Sequence, residues 1–298
     1  MSSLSIMVPR IGDEQAFETT LASVLRFRLP HHQIIAVLGP DQSDPYGLGD
    51  EVTFVNCDRS PGLGNSLNAA LPLISGDVTH LLRPGIEVFH HWFAPGMRCL
   101  QDPSAGMVAV PLVTAENPDR PVSRGLGAGW RMNVRHRRSE RGVLAPSSWA
   151  AYYRTSLLRG IAPLDPGLGA EFAALDCGLA IQASGGNCAR IDPQQALSLD
   201  DANRLRVGFS RQAGGDAARL CARHRPGSAG GLRDRLALGG ELACGLVHPG
   251  RWIRLAGRGL AATRATTDTE FQRRIYETDA ALHREGPAHR QPAIRRAA

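Results

Sequence analysis

Lysine is absent from this chain of 298 residues: all 34 of its basic side chains are arginine. Together with abundant alanine, that usage reads as the codon bias of a GC-rich genome rather than as a functional signature. Aromatic residues are scarce, at 5%, so stacking platforms for nucleic-acid bases are few, and no recognised nucleic-acid motif is present. No apolar run reaches 18 residues, which argues against a membrane-spanning helix. The opening segment MSSLSIMVPR has no basic stretch followed by an apolar one, so a signal peptide is not expected. The six cysteines, at positions 57, 99, 177, 188, 221 and 244, form no Cys-x-x-Cys pair and read as buried or free thiols in a reducing compartment. The expected location is cytoplasmic.

What is present is an apolar content of 43%, enough for a sizeable core. The net charge of +6 is divided unevenly. Residues 1–203 carry 16 Arg against 20 Asp and Glu; residues 204–298 carry 18 against 8. The basic C-terminal third interleaves leucines such as Leu232, Leu236 and Leu246 with Arg233, Arg235 and Arg251, the pattern of amphipathic basic helices over 204–285. Residues 204–264 therefore suit an anionic membrane surface, with the protein peripheral on its inner face, whereas nucleic acid is a weak expectation. Residues 286–298 read as a disordered tail.

Over residues 1–203, short apolar runs alternate with helical periodicity. Strands are expected at Ser5–Val8, Gln33–Leu38, Val52–Asn56, Thr79–Leu82, Met107–Val113, Trp149–Tyr153 and Cys188–Ile191. Helices are expected at Asp13–Arg28, Gly64–Leu73, from Thr155, and over Glu171–Ala183 with Gly185 and Gly186 as the stop. Strands apolar on both sides imply a mostly parallel sheet covered by helices. Residues 114–147 are polar, Gly-rich and Arg-rich, and read as a long loop of the kind that carries function.

The order of these elements, and the blocks SIMVPRIGDEQAFETTLASVLRFRLP, QIIAVLGPDQSD, GLGNSLNAAL, GDVTHLLRPGIEV and LDPGLGAEFAALDCGLAIQASGG, resemble the family 2 glycosyltransferases of the GT-A fold over roughly two-thirds of the chain. The fold class implied is α/β: a GT-A-like, Rossmann-like, mostly parallel sheet flanked by helices, with a C-terminal helical tail. The resemblance implies a nucleotide sugar as donor. It also marks where the family's chemistry is altered. The Asp-x-Asp position holds Arg83 and Gly85, with Glu87 nearby. The Glu-Asp pair that carries the family's general base falls on Ala173 and Ala174, with Glu171 just upstream and Asp176 at the position of the following Asp. The late metal-binding His falls near Ser198 and Leu199.

Carried over residue by residue, the resemblance makes Pro9, Arg10, Asp41, Asn68, Arg83 and Glu87 candidates for the nucleotide sugar, and Asp176 and Glu171 candidates for catalysis. No metal ligands or conventional divalent-metal cofactor are expected. Glycosyl transfer needs positive charge at the departing diphosphate and a carboxylate for the acceptor's proton; arginine forks can supply the first. Three readings follow: a transferase lacking the Asp-x-Asp metal site and acting on an envelope, lipid-linked or small-molecule acceptor; an inactive sugar- or nucleotide-binding relative; and a membrane-surface or nucleic-acid adaptor acting through the basic tail. The structural alternatives are a solvent-facing strand end for Arg83, a loop anchor for Asn68, a structural or capping partner for Asp176, a surface position for Glu171, and packing or an acceptor-side role rather than metal binding for His90 and His91.

Overall fold

The computed structural model describes residues 2–44, 46–58, 62–129, 132–205, 207, 210–224, 255–256 and 269–284. Chain order begins with β1 (Leu4–Pro9), α1 (Glu14–Phe27), β2 (Gln33–Leu38), β3 (Thr53–Asn56), α2 (Leu63–Ala70) and β4 (Val78–Leu82). These are the elements that the apolar runs predict, shifted by a residue or two at most ends. Asp13 caps α1 by accepting from the Gln15 amide, which satisfies one of the helix's open N–H groups. All six β1 residues are buried, and they alternate between two cores: Leu4, Ile6 and Val8 face one cluster, Met7 the other. A strand covered on both faces has no need of polar alternation.

The next stretch departs from expectation. Met107–Val113 is not one strand but two: β6 (Ala105–Ala109) and β7 (Leu112–Thr114). Pro111 lies at the break and has no N–H to continue a ladder; its carbonyl accepts from Leu197, which begins β12 (Leu197–Leu199). The chain thereby leaves the main sheet for a small one of order β5-β12-β7, where β5 is Ile86–Glu87. The Arg-rich segment is not a bare loop. It folds into an antiparallel hairpin of β8 (Leu126–Ala128) and β9 (Val134–His136).

Among the described residues, the main sheet has seven strands in the order β11-β6-β10-β4-β1-β2-β3, with β10 spanning Ala150–Arg154 and β11 Asn187–Arg190. All neighbours are parallel except β10, which runs antiparallel between β4 and β6. The C-terminal ends of β1, β2, β4, β6 and β11 therefore lie along one edge, together with the start of β10. One core lies beneath α2, α4 (Thr155–Ile161) and α5 (Ala170–Ala183). Two helices of the C-terminal third complete that core. From α6 (Arg211–His224) come Ala213, Ala217 and Leu220, and from α7 (Thr269–Arg284) come Phe271 and Ile275. The opposite core packs α1 and α3 (Ala94–Cys99) against the other face.

His90 and His91 precede α3 in a turn, with His91 at φ 61. No described helix is long and apolar enough to cross a membrane. Most of the expected basic helical stretch, residues 225–254 and 257–268, and the tail at 286–298 lie outside the described residues.

Candidate active site

The end of β4 delivers Arg83 to the C-terminal edge of the sheet. Its backbone N–H donates to the Trp149 carbonyl at 2.8 Å, extending the β4–β10 ladder by one residue. Pro84 cannot continue it, and Gly85 turns the chain away at φ +98, a left-handed conformation suited to glycine. The turn is pinned on both sides. The Gly85 N–H donates to Thr20 Oγ1 at 3.0 Å, and its carbonyl accepts from the Asp200 N–H at 3.0 Å. The Arg83 guanidinium lies over the Trp149 ring, 4.1 Å from its centroid, and donates to Ser148 Oγ at 3.0 Å.

Ser148 in turn donates to Glu171 Oε1 at 2.9 Å. Glu171 stands in the first turn of α5, where the helix dipole favours a carboxylate. The same oxygen is 3.8 Å from Arg83 Nη1 and 3.8 Å from His136 Nε2, close enough for charge attraction and too long for a hydrogen bond. His136, at the end of β9, is held from behind by Ser123 Oγ, 2.9 Å from its Nδ1. A chain of polar groups thus runs from Ser123 through His136, Glu171 and Ser148 to Arg83. The Arg83 and Glu171 side chains are only 12% and 18% exposed. Burial alone would raise the Glu171 carboxyl; the His136 ring, the Arg83 guanidinium and the Ser148 hydroxyl outweigh it and hold the group at about 2. Burial works against the charge on Arg83, Glu171 supports it, and Arg204 lies near enough to oppose it. Within this network, Arg83 Nε and His136 Nε2 are buried without a hydrogen-bond partner among the described residues.

No protein-family model and no curated protein matches the chain. Solved structures do. The chain is similar to residues 1–349 of TarS from S. aureus, crystallised with UDP, at 12% identity and a TM-score of 0.57, covering 97% of this chain and 93% of that one. It is similar to GalNAc-T7, crystallised with UDP, GalNAc and Mn2+, at 14% identity and a TM-score of 0.55, over 74% of this chain and 48% of that one. It is also similar to the mannosyltransferase PcManGT from Pyrobaculum calidifontis, in complex with GDP-Man and Mn2+, at 15% identity and a TM-score of 0.50, over 88% and 86%. The chain has the fold of the GT-A glycosyltransferases.

Within this GT-A fold the residues singled out by sequence separate into two groups. Arg83 and Glu171, 88 positions apart, meet. The others do not join them. Pro9 ends β1, and Arg10 follows it, its guanidinium paired with Glu14, the first residue of α1. Asp41 sits exposed in the turn after β2, at φ 60. Asn68 anchors a loop: its amide donates to the Leu164 carbonyl at 2.9 Å and accepts from the Leu164 N–H at 2.8 Å. Glu87 is exposed on β5, opposite Ser198 of β12. Asp176 lies deep between helices, 1% exposed, with one oxygen against Arg223 and the other 2.7 Å from His224. Those partners come from α6, so Asp176 ties α6 to α5, buried away from solvent.

His136, Ser148, Trp149 and Arg204 escape the sequence reading. His136 falls in a segment that looks like loop, and Ser148 reaches the site only because β10 inserts antiparallel beside β4.

The GT-A relatives above that were crystallised with Mn2+ raise the question of a metal here. The residues do not fit one. Where the resemblance puts the Asp-x-Asp motif, the structure has the Arg83 guanidinium and Gly85. Asp200, beside Gly85, is paired with Arg204 at 2.9 Å, and the same guanidinium is 4.0 Å from Asp13. Hard divalent cations require several oxygen ligands, and among the described residues no group of three or more His, Cys, Asp or Glu is placed to hold a metal ion.

Proposed function

We propose that this protein transfers a sugar from a nucleotide sugar to an acceptor hydroxyl, with arginine in place of a metal ion. The observation that carries this reading is the meeting of Arg83 and Glu171 at 3.8 Å across the end of β4 and the start of α5. In the transfer, the bond from the sugar's anomeric carbon to the diphosphate oxygen breaks, and the acceptor oxygen bonds to that carbon. The diphosphate leaves with the electron pair, and its charge is met by Arg83, with Arg204 in support. Arginine does this electrostatically, through a fork of N–H donors that matches phosphate oxygens. Arg83 Nε, buried and without a hydrogen-bond partner among the described residues, is a donor suited to such an oxygen. Glu171 takes the proton from the acceptor hydroxyl.

A carboxyl held at about 2 is a poor base at neutral pH. Donor binding corrects this. A diphosphate that engages Arg83 weakens the guanidinium's hold on Glu171 and lifts its carboxyl toward the ordinary range, so the base becomes competent when the donor is in place. Donor base, sugar and acceptor are open within this reading.

A second reading, binding of a nucleotide or sugar without turnover, is favoured by one specific observation. Ala173 and Ala174, where the resemblance puts the general base, are fully packed in the core at 2% and 0% exposure. The test is turnover of a panel of UDP- and GDP-sugars by the full chain in the presence of a chelator. Release of UDP or GDP, cut by about 100-fold or more in kcat by Glu171→Gln with nucleotide binding intact, is expected for general-base catalysis. Tight nucleotide binding with no release from any donor, with or without added divalent metal, selects the second reading.

A further inference from the structure

Residues 120–142 hold seven arginines against one carboxylate, Glu140. The rest of 1–203 holds nine arginines against nineteen carboxylates. In this otherwise acidic part of the chain, positive charge is gathered into the stretch that forms the β8–β9 hairpin and its flanks. Part of it is internally committed. Glu140 pairs with Arg124 at 3.0 Å and is 3.8 Å from Arg190 of β11. Arg137 donates through Nε and Nη2 to the Arg141 carbonyl. Arg135, Arg138 and Arg141 are exposed and have no ion pair among the described residues. Three unpaired guanidinium groups on one short segment repel one another and add nothing to the core.

Their position gives them a use. His136, between Arg135 and Arg137, is the residue that faces Glu171, so the Arg135 Cα lies about 3.8 Å and the Arg138 Cα at most about 8 Å from the Cα of a residue in the proposed active site. The hairpin is firmly seated. The Arg137 N–H donates to Gly125 at 2.9 Å, the Arg124 N–H to Arg137 at 2.7 Å, and the Leu126 N–H to Ala145 at 2.7 Å. It stands over the half of the sheet formed by β10, β6 and β11: Gly125 lies against Ala109 at the end of β6, and Glu140 reaches Arg190 at the end of β11. The other half, β1, β2 and β3, carries Arg10 and Asp41, the candidates for the nucleotide. The free arginines therefore flank Glu171 on the side away from the donor.

We propose that this arginine hairpin receives the acceptor, and that the acceptor is a soluble polyanion bearing phosphate groups along its length. The proposal rests on the transfer reading above. Guanidinium forks match phosphate oxygens in geometry as well as charge, and several of them in a row suit a repeating charge. A lipid surface is a poorer fit, since the exposed large apolar side chains among the described residues, Tyr46, Leu73, Phe89 and Tyr276, all lie elsewhere. Nucleic acid is a poorer fit because His136 is turned inward, leaving no described exposed ring on the hairpin for a base to stack upon.

The test compares the full chain with the triple variant Arg135→Gln/Arg138→Gln/Arg141→Gln, using short inorganic polyphosphate as probe and neutral dextran as control. The basic C-terminal third is common to both proteins, so it cancels in the comparison. The variant is expected to bind polyphosphate at least about tenfold more weakly, with a shallower dependence of affinity on salt, and to bind UDP and GDP as the unaltered chain does. Equal polyphosphate binding by the two proteins overturns the proposal. So does hairpin-dependent binding that is tighter to vesicles containing anionic phospholipid, or to single-stranded DNA, than to polyphosphate at equal phosphate concentration. Failure of the unaltered chain to bind UDP or GDP, with polyphosphate binding still dependent on the hairpin, would overturn the transfer reading and leave the polyanion site standing.

Discussion

Replacing Arg83 by Met and Glu171 by Gln, singly and together, measures whether the two side chains act as a pair. At an effective dielectric constant of about 20, unit charges separated by 3.8 Å attract by about 4 kcal/mol. Both groups are largely removed from water, and that desolvation takes back part of the gain. A coupling of about 2 kcal/mol is the expected remainder. The depression of Glu171 from 4.5 to about 2 corresponds to about 3 kcal/mol of stability at neutral pH, a total that the guanidinium shares with His136 and Ser148. Arg83→Met is expected to cost about 3 kcal/mol, since it leaves a buried carboxylate without its cation and strips the guanidinium from the Trp149 ring. The double variant should then be about 2 kcal/mol more stable than the two single losses added together. The assay is urea unfolding followed by circular dichroism at neutral pH. The pH sign provides an internal control. The folded-state value lies below the unfolded one, so the Glu171 contribution is complete above about 4.5 and is lost as pH falls toward about 2; Glu171→Gln should remove that dependence. Losses that add to within about 0.5 kcal/mol would refute the pairing, and with it the claim that donor binding at Arg83 is felt at Glu171.

Other outcomes follow from single contacts. Asn68→Ala removes both hydrogen bonds to the Leu164 backbone and should destabilise the fold by about 2 kcal/mol, read as a lower denaturation midpoint with an unchanged slope. His80, fully buried and stacked on Tyr152 with ring centroids 3.6 Å apart, is pushed by burial down to about 3. The unfolded chain therefore binds the proton first, and stability should fall by about 1.4 kcal/mol per unit as pH drops below 6.5; His80→Phe should flatten that part of a melting-temperature profile between pH 7 and 4. Asp176→Asn leaves the buried Arg223 and His224 facing a neutral amide and should cost about 3 kcal/mol. Hydrogen exchange would show the loss concentrated in α6.

Much of the sheet could be read directly because its inner strands are buried on both faces, and Pro30, Pro40 and Gly185 punctuate the chain between elements. The elements that misled are those set by distant pairing. Pro111 sits inside an apolar run whose two halves join different sheets, and only the partner strand β12 reveals the switch. The β8–β9 hairpin has three-residue strands with a single strongly apolar position at Leu126 and at Val134, too little periodicity to separate from loop. Arg83 and Glu171 each stand out through the resemblance, one as a replacement and the other as a neighbour of a missing base. Their meeting depends on β10 running antiparallel, which no local pattern encodes. Asp176 holds the family's spacing, yet its partners lie 47 and 48 residues downstream, and charge spacing along a chain carries no signal for contacts at that range.

The turn at Gly85 bears on how this site could change over generations. A side chain at that position would place its Cβ 2.6 Å from Asp200 Oδ1 on a backbone at φ +98, a crowded and strained location for any L-residue. An aspartate fits there only if Asp200 moves aside. An Asp at position 83 alone would set a carboxylate against Glu171 across Ser148. Each single substitution toward a two-aspartate motif is therefore expected to lower stability, so the arginine arrangement resists conversion to a carboxylate site one residue at a time.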